Sequence, residues 1–455
     1  MSPERPAAPA SSADLEALNP IARELALRLQ KAAPEVWEML SALGRRLYFP
    51  KGILSQTAEA KEKAHRFNAT IGIATEGGKP MALPSVMCHL PDIEAADAVS
   101  YAAPAGRQGL RERWRAKLLA ENPSLRGKKF GLPIVTSAIT HGLALAGDLF
   151  VDPGDLILLP DKLWGNYRLT YEIRLGARIV TFPFYAGNGF DTAGFAKALE
   201  AQGSERQKLL VLLNFPNNPT GYMPTPAEGD AIVAALLRQA ERGTRVVAIF
   251  DDAYTGLFYH LGERSMSESL FGAAVGRHPN LLALRLDGAT KELFVWGLRC
   301  GFLSFGPGRA ESADEVCQVL DAKVRGAIRG AVSNSSQLSQ TLVERALAAP
   351  TIDAEREQKR ETLRARAEKV YEIVRQERFR GAFEPYPFNS GYFMCVKAKG
   401  VDGEAVRLRL LERYGVGLIA TGGPDLRVAF SCLELEQIEP MFEDVARAIR
   451  ELQAR

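Results

Sequence analysis

The sequence predicts an α/β protein: a mostly parallel, seven-stranded sheet with helices on both faces, joined to a smaller α+β unit. Three observations predict it. Short, nearly continuous apolar runs recur between residues 133 and 305, with helical stretches between them. A strand that is apolar along its whole length is buried on both faces, as in a parallel sheet covered by helices. After residue 336 the pattern changes to long helical segments around two further strand-like runs. A chain of 455 residues is long enough for two or three such units with a sizeable core.

Taken in order, residues 1 to about 13 are rich in Pro, Ala and Ser and read as a disordered tail. Between Asp14 and Leu47 two amphipathic helices are expected, split at Ala33-Pro34, because LEALNPIARELALRLQKA and PEVWEMLSALGRRLYF repeat apolar residues three and four apart. FNATIGIATEGGKPMALPSV (67–86) is interrupted by Gly77-Gly78 and Pro80 and reads as an extended loop, with exposed backbone at Gly72, rather than as core. A turn at Pro104-Ala105-Gly106 precedes a helix that ends near Asn122-Pro123. The seven strands are PIVTS (133–137), LILLP (156–160), ARIVTF (177–182), LLVLLN (209–214), RVVAIF (245–250), LLALRL (281–286) and FLSF (302–305). A helical pattern from Ser336 to about Arg378 breaks near Pro350; its middle, DAEREQKRETLRARAEK, reads as a charged solvent face without chemical role. NSGYFMCVK and LRVAFSCL read as strands of the second unit, closed by the helix EQIEPMFEDVARAIRELQ. The expected division is an N-terminal extension (1–65), a small domain (66–95 plus 336–455) and a large domain (96–335).

Composition narrows the function. Lys and Arg number 57 against 54 Asp and Glu, a net charge of +3, and no basic tract stands out, so nothing marks a nucleic-acid surface. Cys88, Cys300, Cys317, Cys395 and Cys432 are odd in number and widely spaced, which suits reduced thiols in a cytoplasmic protein. The five histidines lack ligand spacing, so no metal site is expected. The first residues, MSPERPAAPASSADLEAL, carry no apolar core of a secretory signal, and no run is long enough to span a bilayer.

Ligands of parallel sheets sit at the carboxyl ends of the strands. Asn214, Asp251 and the loop carrying Lys291 all fall there. In LDGATKELFVWGLRCGF (286–302) a lysine at a strand-to-loop edge is followed eight residues later by Arg299. A primary amine in such a place can form a Schiff base with an aldehyde cofactor, and an arginine can hold that cofactor's phosphate through its fork of donors. Asp251 ends an apolar strand, and Tyr254 three residues on can point into the same crevice. Asn218 lies in Asn-Asn-Pro-Thr-Gly, a turn in which Pro219 fixes the backbone and Gly221 allows reversal. Each feature alone also suits an ordinary turn, helix cap or surface charge.

In this order and spacing, NNPTG, Asp-x-x-Tyr, Lys and Arg resemble the class I/II aminotransferases of the pyridoxal-phosphate fold type I superfamily, over roughly residues 65 to 450. FNATIGIATEGGKPMALPSV, Tyr101–Gly106, LWGNY (163–167) and IRGAVSN (328–334) are similar to the aspartate aminotransferase branch. The resemblance implies pyridoxal 5'-phosphate as cofactor, carried by Lys291, which then moves a proton on the substrate. It implies Asp251 at the pyridine nitrogen, Asn218 and Tyr254 at the ring oxygen, and Trp164 stacked on the ring. Arg299, with Ile139, Thr140 and Thr290, would surround the phosphate, and Tyr101 would reach the phosphate of a neighbouring subunit in a homodimer. Arg427 would clamp the substrate α-carboxylate, with Asn218 and the Gly72 backbone beside it. Arg329 falls where the dicarboxylate-specific branch donates an arginine across the dimer; here Gly-Ala-Val-Ser follows it in place of that branch's prolines and aromatic residue, and Arg325 lies close by. Two further departures are Gly288, where many relatives place a phosphate-binding serine, and Ala138, where glycine is usual. The implied reaction moves an amino group between an L-amino acid, aspartate/glutamate or aromatic, and a 2-oxo acid such as 2-oxoglutarate. Two alternatives stay open: a lyase or decarboxylase on the same scaffold, and a non-catalytic cofactor-binding regulator. The short N-terminal stretch without a basic recognition helix counts against the latter.

Overall fold

A computed structural model describes residues 16, 18–48, 52–204 and 206–454; the expected disordered tail lies outside them. The seven expected strands form one sheet: β1 (Ile134–Ser137), β2 (Leu156–Pro160), β3 (Arg178–Phe182), β4 (Lys208–Asn214), β5 (Arg245–Asp251), β6 (Leu281–Gly288) and β7 (Cys300–Gly306). Their order across the sheet is β1-β7-β6-β5-β4-β2-β3. All neighbouring pairs are parallel except those of β7, which is antiparallel to both β6 and β1.

The sheet's two faces follow the alternation of side chains along a strand. Leu209, Val211 and Leu213 of β4, with Val246, Ala248 and Phe250 of β5, join a core containing Leu110 and Trp114 of the helix Gln108–Glu121 and Ile232 and Leu236 of the helix Pro226–Glu241. Leu210, Leu212, Val247 and Ile249 point the other way, against Leu143 of the helix Ala138–Phe150 and Val324 and Ile328 of the helix Ala313–Ala331. Covering both faces explains the continuous apolar runs. Among the described residues no helix is long and apolar enough to cross a membrane.

A second, antiparallel sheet, β8 (Phe383–Pro385), β9 (Met394–Ala398), β10 (Ile419–Gly422) and β11 (Asp425–Val428), has the order β8-β9-β11-β10. The helix Leu435–Gln453 packs its apolar face into the same core, with Ile438, Met441, Phe442, Val445 and Ile449 buried.

Three sequence expectations need correction. The second N-terminal amphipathic segment is two short helices, Pro34–Met39 and Ala42–Arg46, because Leu40 turns extended and the Ser41 hydroxyl caps the second by accepting from the Gly44 N–H at 3.0 Å. The 67–86 stretch is irregular, but Ala69, Ala74, Met81, Leu83 and Val86 are buried, so it is a loop threaded through the core. It also supplies Phe67–Asn68, which pairs in parallel with Val416–Gly417. The helix Ile352–Ile373 is not simply a charged solvent face. Arg366, 1% exposed, donates to the carbonyls of Thr75 (2.7 Å) and Ser431 (2.8 Å) and to Glu434, while Arg356 bonds Glu292 beside Lys291. Hydration is lost there because the loop 67–86 and the segment after β11 pack over that face.

Candidate active site

The carboxyl ends of β4, β5 and β6 converge on one crevice. Asn214 and Asp251 end their strands in register with each other, and Lys291 sits in the single-turn helix Ala289–Glu292 that follows β6. Because β7 runs backwards, its first residue, Cys300, pairs with Ser137 at the end of β1. Arg299 therefore arrives at the same rim, beside the start of the helix Ala138–Phe150. A cavity of about 370 Å³ lies here, and Gly72, Ile139, Thr140, Trp164, Asn218, Asp251, Tyr254, Thr290, Lys291, Arg299 and Arg427 all line it.

The Lys291 amine donates to the Gly72 carbonyl at 2.8 Å and lies 5.3 Å from the centre of the Tyr254 ring. Burial, then the charges of Arg427 and Arg299, push its pKa down to about 7, against the pull of Asp251. Near neutral pH this amine therefore exists in both protonation states, as a proton carrier requires. Its backbone carbonyl accepts from the Tyr392 hydroxyl at 2.7 Å, which ties it to the strand connection before β9.

Asp251, 2% exposed, accepts from the Tyr167 hydroxyl at 2.6 Å and from the Ala253 N–H at 3.2 Å. Burial pushes its pKa up to about 6 in spite of these bonds and of Lys291. The carboxylate is under-compensated and suits a cationic partner. The neighbouring Asp252 pairs instead with Arg285, at 3.0 Å in the core. Tyr254 is buried, and burial raises its phenol above the usual range, so it stays a donor.

Arg427 of β11 is 1% exposed. Nη1 donates to Asn218 Oδ1 at 3.0 Å, Nη2 to the Thr70 carbonyl at 2.7 Å, and the guanidinium lies 4.1 Å over the Phe393 ring. Its Nε is buried and has no hydrogen-bond partner among the described residues. Asn218 is itself fixed through its N–H to Asn214 Oδ1 (2.7 Å), and the Asn214 amide donates to the Asp251 carbonyl (2.8 Å). Among the described residues, none of Lys291, Arg299 and Arg427 forms an ion pair with a carboxylate. Three cations around one buried acid make a site for a ligand with more than one anionic group.

Of the two departures at the rim, one has a steric cause and the other carries a conformational cost. Gly288 lies so close to β7 that a Cβ there would stand 2.8 Å from the Cys300 carbonyl oxygen, leaving no room for serine. Ala138 has φ 64°, a left-handed conformation that glycine adopts more easily, so the usual glycine is replaced at a conformational cost. At Gly72 a Cβ would stand 3.4 Å from the Lys291 amine, an ordinary contact distance.

Tyr101, 90% exposed, and Arg329, exposed at the end of its helix and bonded to the Ser333 hydroxyl at 2.6 Å, do not line the cavity of their own chain. Lining residues that sequence reasoning missed include Tyr167, Trp296, Phe393 and Ile53. Tyr167 stands in the LWGNY stretch, but only the fold brings it to an acid 84 positions away. Ile53, Trp164 and Asn218 also border an adjoining cleft of about 860 Å³, which runs between the helix Ile53–Lys63 and the end of β10 at residues 420–423.

Residues 71–445 match the family described as Aminotransferase class I and II. An aspartate aminotransferase of Musicola paradisiaca is 26% identical over 205 residues, 45% of this chain and 47% of that protein. A histidinol-phosphate aminotransferase of Yersinia pestis is 32% identical over 177 residues, 38% of this chain and 40% of that protein. The chain thus spans about half the length, or less, of the curated relatives it matches. Among solved structures, an aminotransferase from Anaerococcus prevotii superposes with a TM-score of 0.80 at 23% identity, covering 90% of this chain and 98% of that one. A kynurenine aminotransferase from Pyrococcus horikoshii gives 0.74 at 16%, covering 92% and 98%. The fold is shared with both, and by its match over residues 71–445 the chain belongs to the class I and II aminotransferases, a family dependent on pyridoxal 5'-phosphate.

Proposed function

We propose that this protein is an aminotransferase that passes the amino group of an L-amino acid to a 2-oxo acid in two half-reactions. The observation that carries the reading is a single cavity holding an amine of depressed pKa, a buried under-compensated carboxylate and a buried arginine with an unpartnered Nε.

The cavity suits pyridoxal phosphate, which when bound supplies an electron sink for the substrate's Cα. Asp251 is the acid for a protonated ring nitrogen. Asn218 and Tyr254 supply polar groups for the ring oxygen, and Trp164 offers a flat apolar face. Arg299, Thr290 and the helix start at Ile139 and Thr140 offer donors to a phosphate. Lys291, with a pKa of about 7, takes a proton from the substrate's Cα and returns it. Its bond to the Gly72 carbonyl keeps the amine facing the cavity. Arg427, anchored by Asn218 and Thr70, holds the α-carboxylate and so sets which bond at Cα is aligned for breaking.

The reading includes a cytoplasmic homodimer. Met87, Leu90, Val99 and Tyr101 are 51%, 45%, 83% and 90% exposed within one stretch, an apolar surface that a second copy would cover. Tyr101, outside its own cavity, is then free to act in the partner's. Residues 66–95 with 336–455 form the smaller unit, 96–335 the larger, and 1–65 the N-terminal extension.

A single-turnover measurement tests this. With one L-amino acid and no acceptor, the loaded protein is expected to release one equivalent of the matching 2-oxo acid, and added 2-oxo acid restarts turnover. Lys291→Ala abolishes both. Release of carbon dioxide or another fragment instead identifies a lyase or decarboxylase, and near-normal turnover of the alanine variant overturns the assignment.

A further inference from the structure

We infer that the substrate's side chain is large and apolar, aromatic by preference, and that Ile53 is a specificity-determining residue facing it. This deepens the aminotransferase reading and rests on it.

The polar groups of the cavity are already committed. Lys291, Asp251, Tyr254, Asn218 and Arg299 serve the cofactor, and Arg427 serves the α-carboxylate. The wall that remains is Ile53, Ile71, Ile73, Trp296 and Phe393. No charged side chain among the described lining residues is left for a second carboxylate, and an unpaired carboxylate is strongly disfavoured against such a wall. Arg329, the residue that would accept one, does not line the cavity and is bonded to Ser333.

The position of Ile53 is independently fixed. It opens the helix Ile53–Lys63, which is fastened at three points to residues between 407 and 420. The Gln56 amide brackets Ala420, accepting from its N–H at 2.9 Å and donating to its carbonyl at 3.2 Å. Glu59 accepts from Arg407 at 2.9 Å. Ala60 is 1% exposed, packed so close to Gly417 that a Cβ there would stand 2.7 Å from it. Ile53 and Trp164 both border the cavity and the adjoining cleft. A side chain reaching outward from Cα toward the cleft therefore passes an aliphatic chain and an indole. Of the charged groups beyond, Arg407 is paired with Glu59 and Glu404, Arg168 is paired with Glu172 at 2.9 Å, and Asp161 and Asp402 are themselves acidic, so none draws a ligand carboxylate.

An aromatic side chain burying about 150–250 Å² between such walls gains at least ~10-fold in affinity over a small one. The test uses amine-free analogues, so binding is read without turnover. The holoprotein's tryptophan fluorescence is titrated with 3-phenylpropionate, propionate and succinate. Phenylpropionate is expected to bind at least ~10-fold more tightly than either of the others. Ile53→Ala should cost phenylpropionate about 10-fold and propionate less than about 2-fold. Succinate binding as tightly as phenylpropionate overturns the inference. If Arg329→Ala also abolishes succinate binding, an arginine shared between subunits reads the side chain instead. The expected binding order with no amino-group transfer from any amino acid supports the apolar pocket and sinks the aminotransferase reading, so the two failures are distinct. No binding of any analogue overturns both.

Discussion

Replacing Lys291 by methionine tests the electrostatic state of the cavity apart from catalysis. The lysine's pKa falls from the usual 10.5 to about 7 on folding. Between these values the unfolded chain holds a proton that the folded chain has released, so the wild type must gain stability as pH rises from 7 towards 10.5. At about 1.4 kcal/mol per pH unit the full displacement corresponds to roughly 5 kcal/mol. That is an upper bound, because the Lys291 side chain is partly exposed to the cavity and solvent screens it; roughly 2–3 kcal/mol is expected. Methionine matches the lysine stem and carries no proton. In the cofactor-free protein, urea unfolding at neutral pH should find Lys291→Met about 2 kcal/mol more stable than wild type. That advantage should shrink by about 1–2 kcal/mol between pH 7.5 and 9.5. Asp252, pushed up to about 7 by burial, is present in both proteins and cancels in the difference. A gap that stays constant across this range would show that the amine is not held near neutrality and would refute the proton-carrier argument.

Three other outcomes are expected. Arg427→Ala should raise KM for the amino acid at least ~30-fold while changing kcat less, since a buried charge that meets the ground-state carboxylate is lost; steady-state kinetics separates the two. Ala138→Gly should stabilise the protein by about 0.5–1 kcal/mol in urea unfolding, the relief at φ 64° exceeding glycine's added chain entropy. Arg366→Met should destabilise by about 3–5 kcal/mol, because it strands the carbonyls of Thr75 and Ser431 and the Glu434 carboxylate.

What could be read from the sequence was what local chemistry determines. Asn214, Asp251 and Lys291 were legible because each closes or follows a continuous apolar run, and the fold sends the ends of neighbouring parallel strands to one rim. Arg299 was legible only through its spacing from the lysine. Its physical place depends on the reversed direction of β7, which no run of residues announces. Partnerships between distant segments were not legible. Tyr167 reaches Asp251, and Tyr392 reaches the Lys291 carbonyl from 101 positions away. The same limit explains Arg366. Within its own helix it is one of many charges, and only the packing of residues 75, 431 and 434 makes it a buried cross-brace. Ile53 shows the limit at the substrate wall, where an ordinary helix-opening isoleucine gains meaning from Gln56 and Ala420.

The most direct measurement is the visible absorption of the purified protein with pyridoxal phosphate bound, followed as L-amino acids are added one at a time. A cofactor band is expected that converts stoichiometrically to the amine-bearing form with at least one amino acid, recovers when a 2-oxo acid is added, and is absent from Lys291→Ala. A bound cofactor that no amino acid converts, or a protein that fails to take up the cofactor, would contradict it.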